Sequence, residues 1–493
     1  MSQHRSRIFD PVPGSDPETH ANGIVSRFMA WNSKYPVWAI VLVSFLAVVI
    51  NCYPVVFCGR SFVSPTSVYG LLIHGNGWPT APGLTAEPAA QVVQHGSDTG
   101  AMMWWGVPVG FIESRSLLQQ GELPLWNRYS HAGDTLIGQA VSMLGDPLQL
   151  IVILGHGSAG AWDIKFLAAK FLFSVGFGLL ILRLLRSQPM SLLYAALAAY
   201  CGAFFYINNH PAFFVFAYAP WILLAALEWL DWRAGWQVRW WLVWLLANFA
   251  CFNAGHVELA VILIGGLNAA ALACALSVCG RGVSMAKVVA RMAGGTLCFL
   301  GLTAPIWISF LVSLDGSFTT HREIKVTQFS PLTLLGVFDE VFYRCLWPND
   351  VAPVTAPATS LLVLAGCSFS IWRWRQLKSE PFFWVNTGAV VLWGGCVFGW
   401  VPADLLALVP LLNLVGHVAV GFSYLLVIHL TIQSAYGLKC LAKSERLPQV
   451  AGDAACVAVI FTGLILLYSF APFQRPIPWN YCLCAGVFSE LSG

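Results

Sequence analysis

The feature that most limits this chain is a series of apolar runs close to 20 residues long, of which Val37 to Val56 is the first. A helix rises about 1.5 Å per residue, so about 20 residues cross the roughly 30 Å hydrocarbon core of a bilayer. Inside that core every backbone N–H and C=O must find its partner within the chain, which leaves helices or closed barrels. The alternating ten-residue strand pattern of a barrel is absent. Charged residues make up only 10% of the 493, against roughly 25% in a soluble chain. The expected fold class is therefore an all-α polytopic membrane protein. About 11 transmembrane helices are expected, near 37–57, 162–182, 190–207, 212–230, 238–253, 257–279, 286–314, 355–371, 382–401, 417–438 and 451–471.

Orientation follows from the basic residues, because short cytoplasmic loops collect Lys and Arg. Arg5, Arg7, Arg27 and Lys34 precede the first run, and pairs or triplets then follow alternate runs. These are Arg183 and Arg186, Arg233 and Arg239, Arg281, Lys287 and Arg291, Arg373, Arg375 and Lys378, and Lys439, Lys443 and Arg446. Seventeen of the 26 basic residues thus fall on one side, which is the cytoplasmic side by this rule. The N-terminus is expected inside and the C-terminus outside, with residues 1–35 and 476–493 as tails and 36–475 as one membrane domain. The outer side then owns the long connections 58–161 and 315–354. It also holds 15 of the 23 acidic residues. Most of the 14 cysteines fall in apolar runs, where Cys acts as a small hydrophobe. Cys58, Cys345, Cys482 and Cys484 are the ones in expected outer segments, where one disulfide among them is allowed.

The first outer loop is patterned. "GAMMWWGVPVGFIESRSLLQQ" (100–120) and "SMLGDPLQLIVIL" (142–154) are too short or too interrupted to span, and read as helices lying at the membrane surface. Between them stands "GELPLWNRYSHAGDTLIGQ" (121–139), polar and rich in turn residues. Asp98 in "HGSDTGAMMWWGVP", followed by this Gly-x-x-Pro-x-Trp-Asn segment and by "DPLQLI", resembles the bacterial YfhO-like membrane glycosyltransferases of the GT-C class. "NAGHVELAVIL" (253–263) is similar to the Gly-His-x-Glu segment of the same group. The resemblance covers roughly the first 265 residues. Before the tenth run the chain reads "NLVGHVAVGF", where the family pattern carries an arginine.

The resemblance implies a bacterial cytoplasmic membrane enzyme that transfers a sugar from a polyprenyl-phosphate donor to an envelope lipid, polymer or protein acceptor at the outer face. It implies no nucleic-acid partner, and no Walker loop, nucleophile elbow or basic nucleic-acid patch is found. Such chemistry needs a carboxylate to take the acceptor proton and positive charge on the departing phosphate. Asp98 and Glu258 are the candidate catalytic carboxylates; helix capping is the plainer role for each. Arg322, Lys325, Arg344 and Lys170 are the candidate phosphate contacts. An intramembrane lysine such as Lys170 is either functional or snorkelling. Trp126 and Asn127 are candidates to touch a sugar or to shape the loop, and His210 and His256 complete the candidate binding set. No His/Cys ligand spacing points to zinc, and no cofactor is expected, although a hard cation held by carboxylates is conceivable. Two other classes compete: a flippase or transporter of lipid-linked glycans, which calls for polar residues at mid-membrane depth, and a non-catalytic assembly subunit of the same fold.

Overall fold

The computed structural model describes residues 34–463 apart from 60, 64–105, 130–132, 138–141, 202–211, 232–236, 280–282, 316–327, 330–333, 335–336, 339–358, 410–411, 413–414, 416–417, 443–451, 454 and 461. Among the described residues the chain is almost wholly helical, with a single two-stranded ribbon. Five helical stretches are long and apolar enough to cross a membrane: Ala159–Leu185, Ala212–Trp229, Val257–Val278, Ser284–Val312 and Val418–Ala442. The molecule is a multi-pass helical membrane protein.

All eleven expected runs hold helical residues. The first is broken, because Pro54 removes a backbone donor: α1 (Pro36–Asn51) ends and the single turn α2 (Tyr53–Phe57) follows. The long loop then contains α3 (Val107–Ser114), continued by a π-helical turn (Arg115–Gln120) that Gly121 closes at φ 67°. A ribbon follows, β1 (Trp126–Asn127) against β2 (Asp134–Thr135), antiparallel with Trp126 opposite Thr135. Next come α4 (Gln149–Leu154) and α5 (Ala159–Leu185), whose first turn is capped by Ser158 Oγ accepting from Ala161 N at 3.3 Å. The remaining helices are α6 (Gln188–Ala198), α7 (Ala212–Ala217), α8 (Ala219–Trp229), α9 (Val238–Phe252), α10 (Val257–Val278), α11 (Val283–Asp315), α12 (Leu361–Trp372), α13 (Trp374–Leu377), α14 (Pro381–Val397), α15 (Ala403–Ala407) and α16 (Val418–Ala442). The helix expected from 355 begins only at Leu361. The expected run 451–471 holds helical residues at 452–453, 455–460 and 462–463.

Two halves share one core. In the first, α5 packs on α1, α6 and α8, and α8 packs on α9 and α10. In the second, α12 and α14 clasp α16, which also touches α5, α6 and α10. The α16 helix is buried along almost its whole length, although its sequence is no more apolar than that of its neighbours. Helix α11 is the opposite case. It packs on α9 and α10 alone among its larger contacts and leaves Leu297 and Val312 exposed, as a lipid-facing helix does.

Candidate functional site

The charged residues near α5 explain how the loop is held. Lys165 lies near the start of α5 and is fully buried. Its ammonium forms an ion pair with Asp146 Oδ2 at 2.8 Å and donates to Gln149 Oε1 at 2.7 Å. It also sits over the Phe214 ring, 4.2 Å from the centroid. Asp146 ends the Gly145-Asp146-Pro147 turn that starts α4. Its Oδ1 accepts from Leu148 N at 3.0 Å and from the Tyr218 hydroxyl, which reaches in from the joint between α7 and α8. Gln149 Nε2 donates to Glu113 Oε2 of α3 at 2.6 Å. A single polar chain, Glu113–Gln149–Lys165–Asp146–Tyr218, thus ties α3, α4, α5 and α8 together at one end of the bundle.

The charges in that chain are balanced in an informative way. One cation faces two carboxyl groups. Burial pushes the Glu113 carboxyl up to about 8, and the nearby Asp146 charge adds to it, while the Gln149 bond and Lys165 pull the other way. At neutral pH Glu113 therefore keeps its proton. Glu113 Oε1 is buried without a hydrogen-bond partner. All three ionisable side chains are closed off from solvent. As arranged they orient and brace the layer of short helices.

The segments singled out by sequence meet at this end. Gly145 has no room for a Cβ because the Asn253 side chain lies against it, which brings "NAGHVEL" onto the "GDPLQLI" turn. His256 is the N-cap of α10, its Nδ1 accepting from Leu259 N at 3.3 Å, and Glu258 stands in that helix's first turn. Capping is thus the visible role of His256. The ribbon joins the same layer through Ser142 Oγ, which donates to Leu136 O at 2.5 Å. Trp126 lies across Gly133, whose φ of 104° and missing Cβ leave space for the indole, and the ring stays 56% exposed. Asn127 turns inward instead, 8% exposed, with Oδ1 accepting from Tyr129 N at 3.0 Å. Of the two roles expected for Asn127, shaping the loop is the one this bond serves.

No protein-family model, curated protein or solved structure matches the chain.

Of the two roles expected for Lys170, the structure removes snorkelling. The side chain is fully enclosed between α5 and the end of α1. Its ammonium donates to Asn51 Oδ1 and reaches Cys52 Sγ at 3.7 Å, fastening the break between α1 and α2. Asp98, His210, Arg322, Lys325 and Arg344 lie outside the described residues. Cys345, Cys482 and Cys484 do as well, and Cys58 is an exposed free thiol. No group of three or more His, Cys, Asp or Glu side chains is placed to hold a metal ion among the described residues.

Glu113, Asp146, Lys165 and Tyr218 were not among the expected site residues. Lys165 carried the same signal as Lys170, a lysine inside an apolar run, and Asp146 sat in the quoted "DPLQLI" turn. Glu113 and Tyr218 gave no sign, since their partners are 36 and 72 residues away in the chain.

Proposed function

We propose that the chain is a membrane glycosyltransferase of the GT-C type, with about 11 spans, resembling the YfhO-like proteins. Its reaction takes place at the end of the bundle where α3, α4 and the first turns of α5 and α10 meet. On this proposal the basic-residue pattern turns that end outward, and the resemblance implies a bacterial cytoplasmic membrane. In this reading the acceptor hydroxyl attacks the anomeric carbon of a polyprenyl-phosphate sugar in one inverting displacement. The C–O bond to phosphate breaks, polyprenyl phosphate leaves, and Asp98 takes the acceptor proton. Arg322, Lys325 and Arg344 supply positive charge to the leaving phosphate, and Glu258 is the reserve carboxylate.

The observation that carries this reading is convergence. Three segments that bear the resemblance, 121–139, the turn at Asp146 and the start of α10, come together at one end, around a layer of short helices. That layer leaves Phe111, Leu118, Leu150 and Leu154 exposed, as surface-lying helices at a lipid boundary do. A transporter of lipid-linked glycans is the second reading, and one observation favours it. Asn386, His429, Gln433 and Ser370 form a polar ladder where the last turn of α12 and the second turn of α14 meet the middle of α16. The ladder is buried and bonded to itself, which suits helix adhesion better than a passage.

Asp98→Asn tests the main reading. The variant keeps its size and removes the basicity, so it inserts normally, binds the lipid-linked sugar and loses turnover by roughly 10² to 10⁴. The measurement is mass spectrometry of lipid-linked sugars and envelope glycans from cells carrying each form. Transfer within a few-fold of wild type rejects Asp98 as the base. An unchanged glycan profile on deleting the whole protein rejects the activity.

A further inference from the structure

We propose that Glu113 is a proton-operated latch: protonated, it fastens the α3–α4 layer to α5, and on losing its proton it frees that layer and opens the end of the bundle. The geometry has two halves. The layer is held from below by apolar contacts, with Val109, Val152 and Trp162 buried between α3, α4 and α5. It is held at its centre by the Gln149 bridge, whose amide gives a hydrogen to Glu113 and takes one from Lys165. Lys165 is already committed to Asp146 at 2.8 Å. A second buried anion on Glu113 would leave two negative charges to one cation, with Oε1 lacking any donor. A buried charge without a partner is costly, and moving α3 toward water relieves it.

The charged groups that act on Glu113 are Lys165 from α5 and Asp146 from the turn before α4. The Tyr218 hydroxyl reaches the cluster only through Asp146. Neighbouring Asp163 is turned onto Ser61 and Phe62, and Arg115 lies over the Tyr129 ring. Burial pushes the Glu113 carboxyl up to about 8 from an ordinary 4.5. A carboxyl raised by folding adds stability that is complete below the lower value and is lost as pH rises through the higher one. The latch is therefore tightest in acid, loosens progressively as pH rises above about 4.5, and is fully released once pH passes about 8.

The test is hydrogen–deuterium exchange of the full chain in lipid nanodiscs, from pH 6 to 9.5, corrected for the intrinsic rate at each pH. In wild type the protection of amides in 107–120 and 149–157 falls from pH 6 by up to about tenfold per pH unit and levels off above about pH 8. Glu113→Gln keeps a neutral partner for Gln149 and abolishes the fall. Asp146→Asn leaves one cation for one carboxylate, so that Glu113 can ionise in place, and it abolishes the fall too. It decides the matter if the Gln variant does not fold. A fall of wild-type size in either folded variant overturns the latch, as does its absence in wild type. Both results stand apart from the sugar-transfer reading, because no substrate is present.

Discussion

Two buried polar networks sit in the same protein and are built on opposite terms. At the end of α5 the network is ionic: Glu113, Asp146 and Lys165, with every member buried. Between α12, α14 and α16 it is neutral. Asn386 Nδ2 donates to Gln433 Oε1 at 2.8 Å, its Oδ1 meets His429 Nδ1 at 2.8 Å, and Gln433 Nε2 donates to Ser370 Oγ at 3.0 Å. A neutral ladder loses little when one rung goes, because its amides can find backbone partners even in the separated helices. An ionic cluster has no such fallback, and removal of one member strands a charge in a low-dielectric interior. The neutral arrangement is adhesive and the ionic one is able to switch.

The largest effect separates the two directly. Lys165→Met leaves Asp146 buried without its cation and should cost about 3–5 kcal/mol of stability. Unfolding of the full chain in mixed micelles, titrated with a denaturing detergent, measures it. Lys165→Met combined with Asp146→Leu removes both charges and should recover most of that loss, since an apolar pair of similar volume often serves as well. An equal loss in single and double variants would mean that packing around Phe214 and Trp162, rather than charge, holds the layer.

How much of this was readable beforehand depends on the physics behind each element. The spans were legible because hydrocarbon demands apolar helices and nothing else, so α5, α10 and α16 stand where composition put them. The break at Cys52 needed the effect of Pro54 to be weighed against a continuous apolar run. The choice between Lys165 and Lys170 was invisible, because both lie in one run and only tertiary packing decides what each meets. Lys165 meets Asp146, and Lys170 meets Asn51 across the α1–α2 break. Asn127 read as a polar loop residue and is one, but it is turned to the backbone of Tyr129. The meeting of Asn253 with Gly145 joins positions more than a hundred residues apart, and one sequence carries no record of such a pairing.

A middle-sized effect asks what the neutral half relies on if not charge. Helices α12 and α16 cross so closely that a Cβ on Gly437 would fall on the Gly366 carbonyl and the Ser370 amide. Gly437→Val should therefore cost about 1–3 kcal/mol by overpacking. Gly294 on α11 has open space around its Cβ position, so Gly294→Val should stay within about 0.5 kcal/mol. Similar losses at both glycines, in the same micelle unfolding experiment, would remove close helix contact as the basis of this half.

The smallest effect is the coupling within the ladder. Asn386→Ala and Gln433→Ala, made singly and together, form a cycle that isolates the amide–amide bond from the packing each residue also provides. The expected coupling is about 0.6 kcal/mol and below about 1.7, because each amide freed from the other still lies near carbonyls of its own helix. Asn386 already donates to His429 O at 2.9 Å, which shows where such a substitute comes from. Neither amide titrates, so the coupling should be equal at pH 6.5 and 9. The α3–α4 layer should change between those same two values, as Glu113 crosses about 8. A coupling above about 3 kcal/mol would place the ladder in the same class as Lys165 and Asp146. The contrast between an adhesive half and a switching half would then fail.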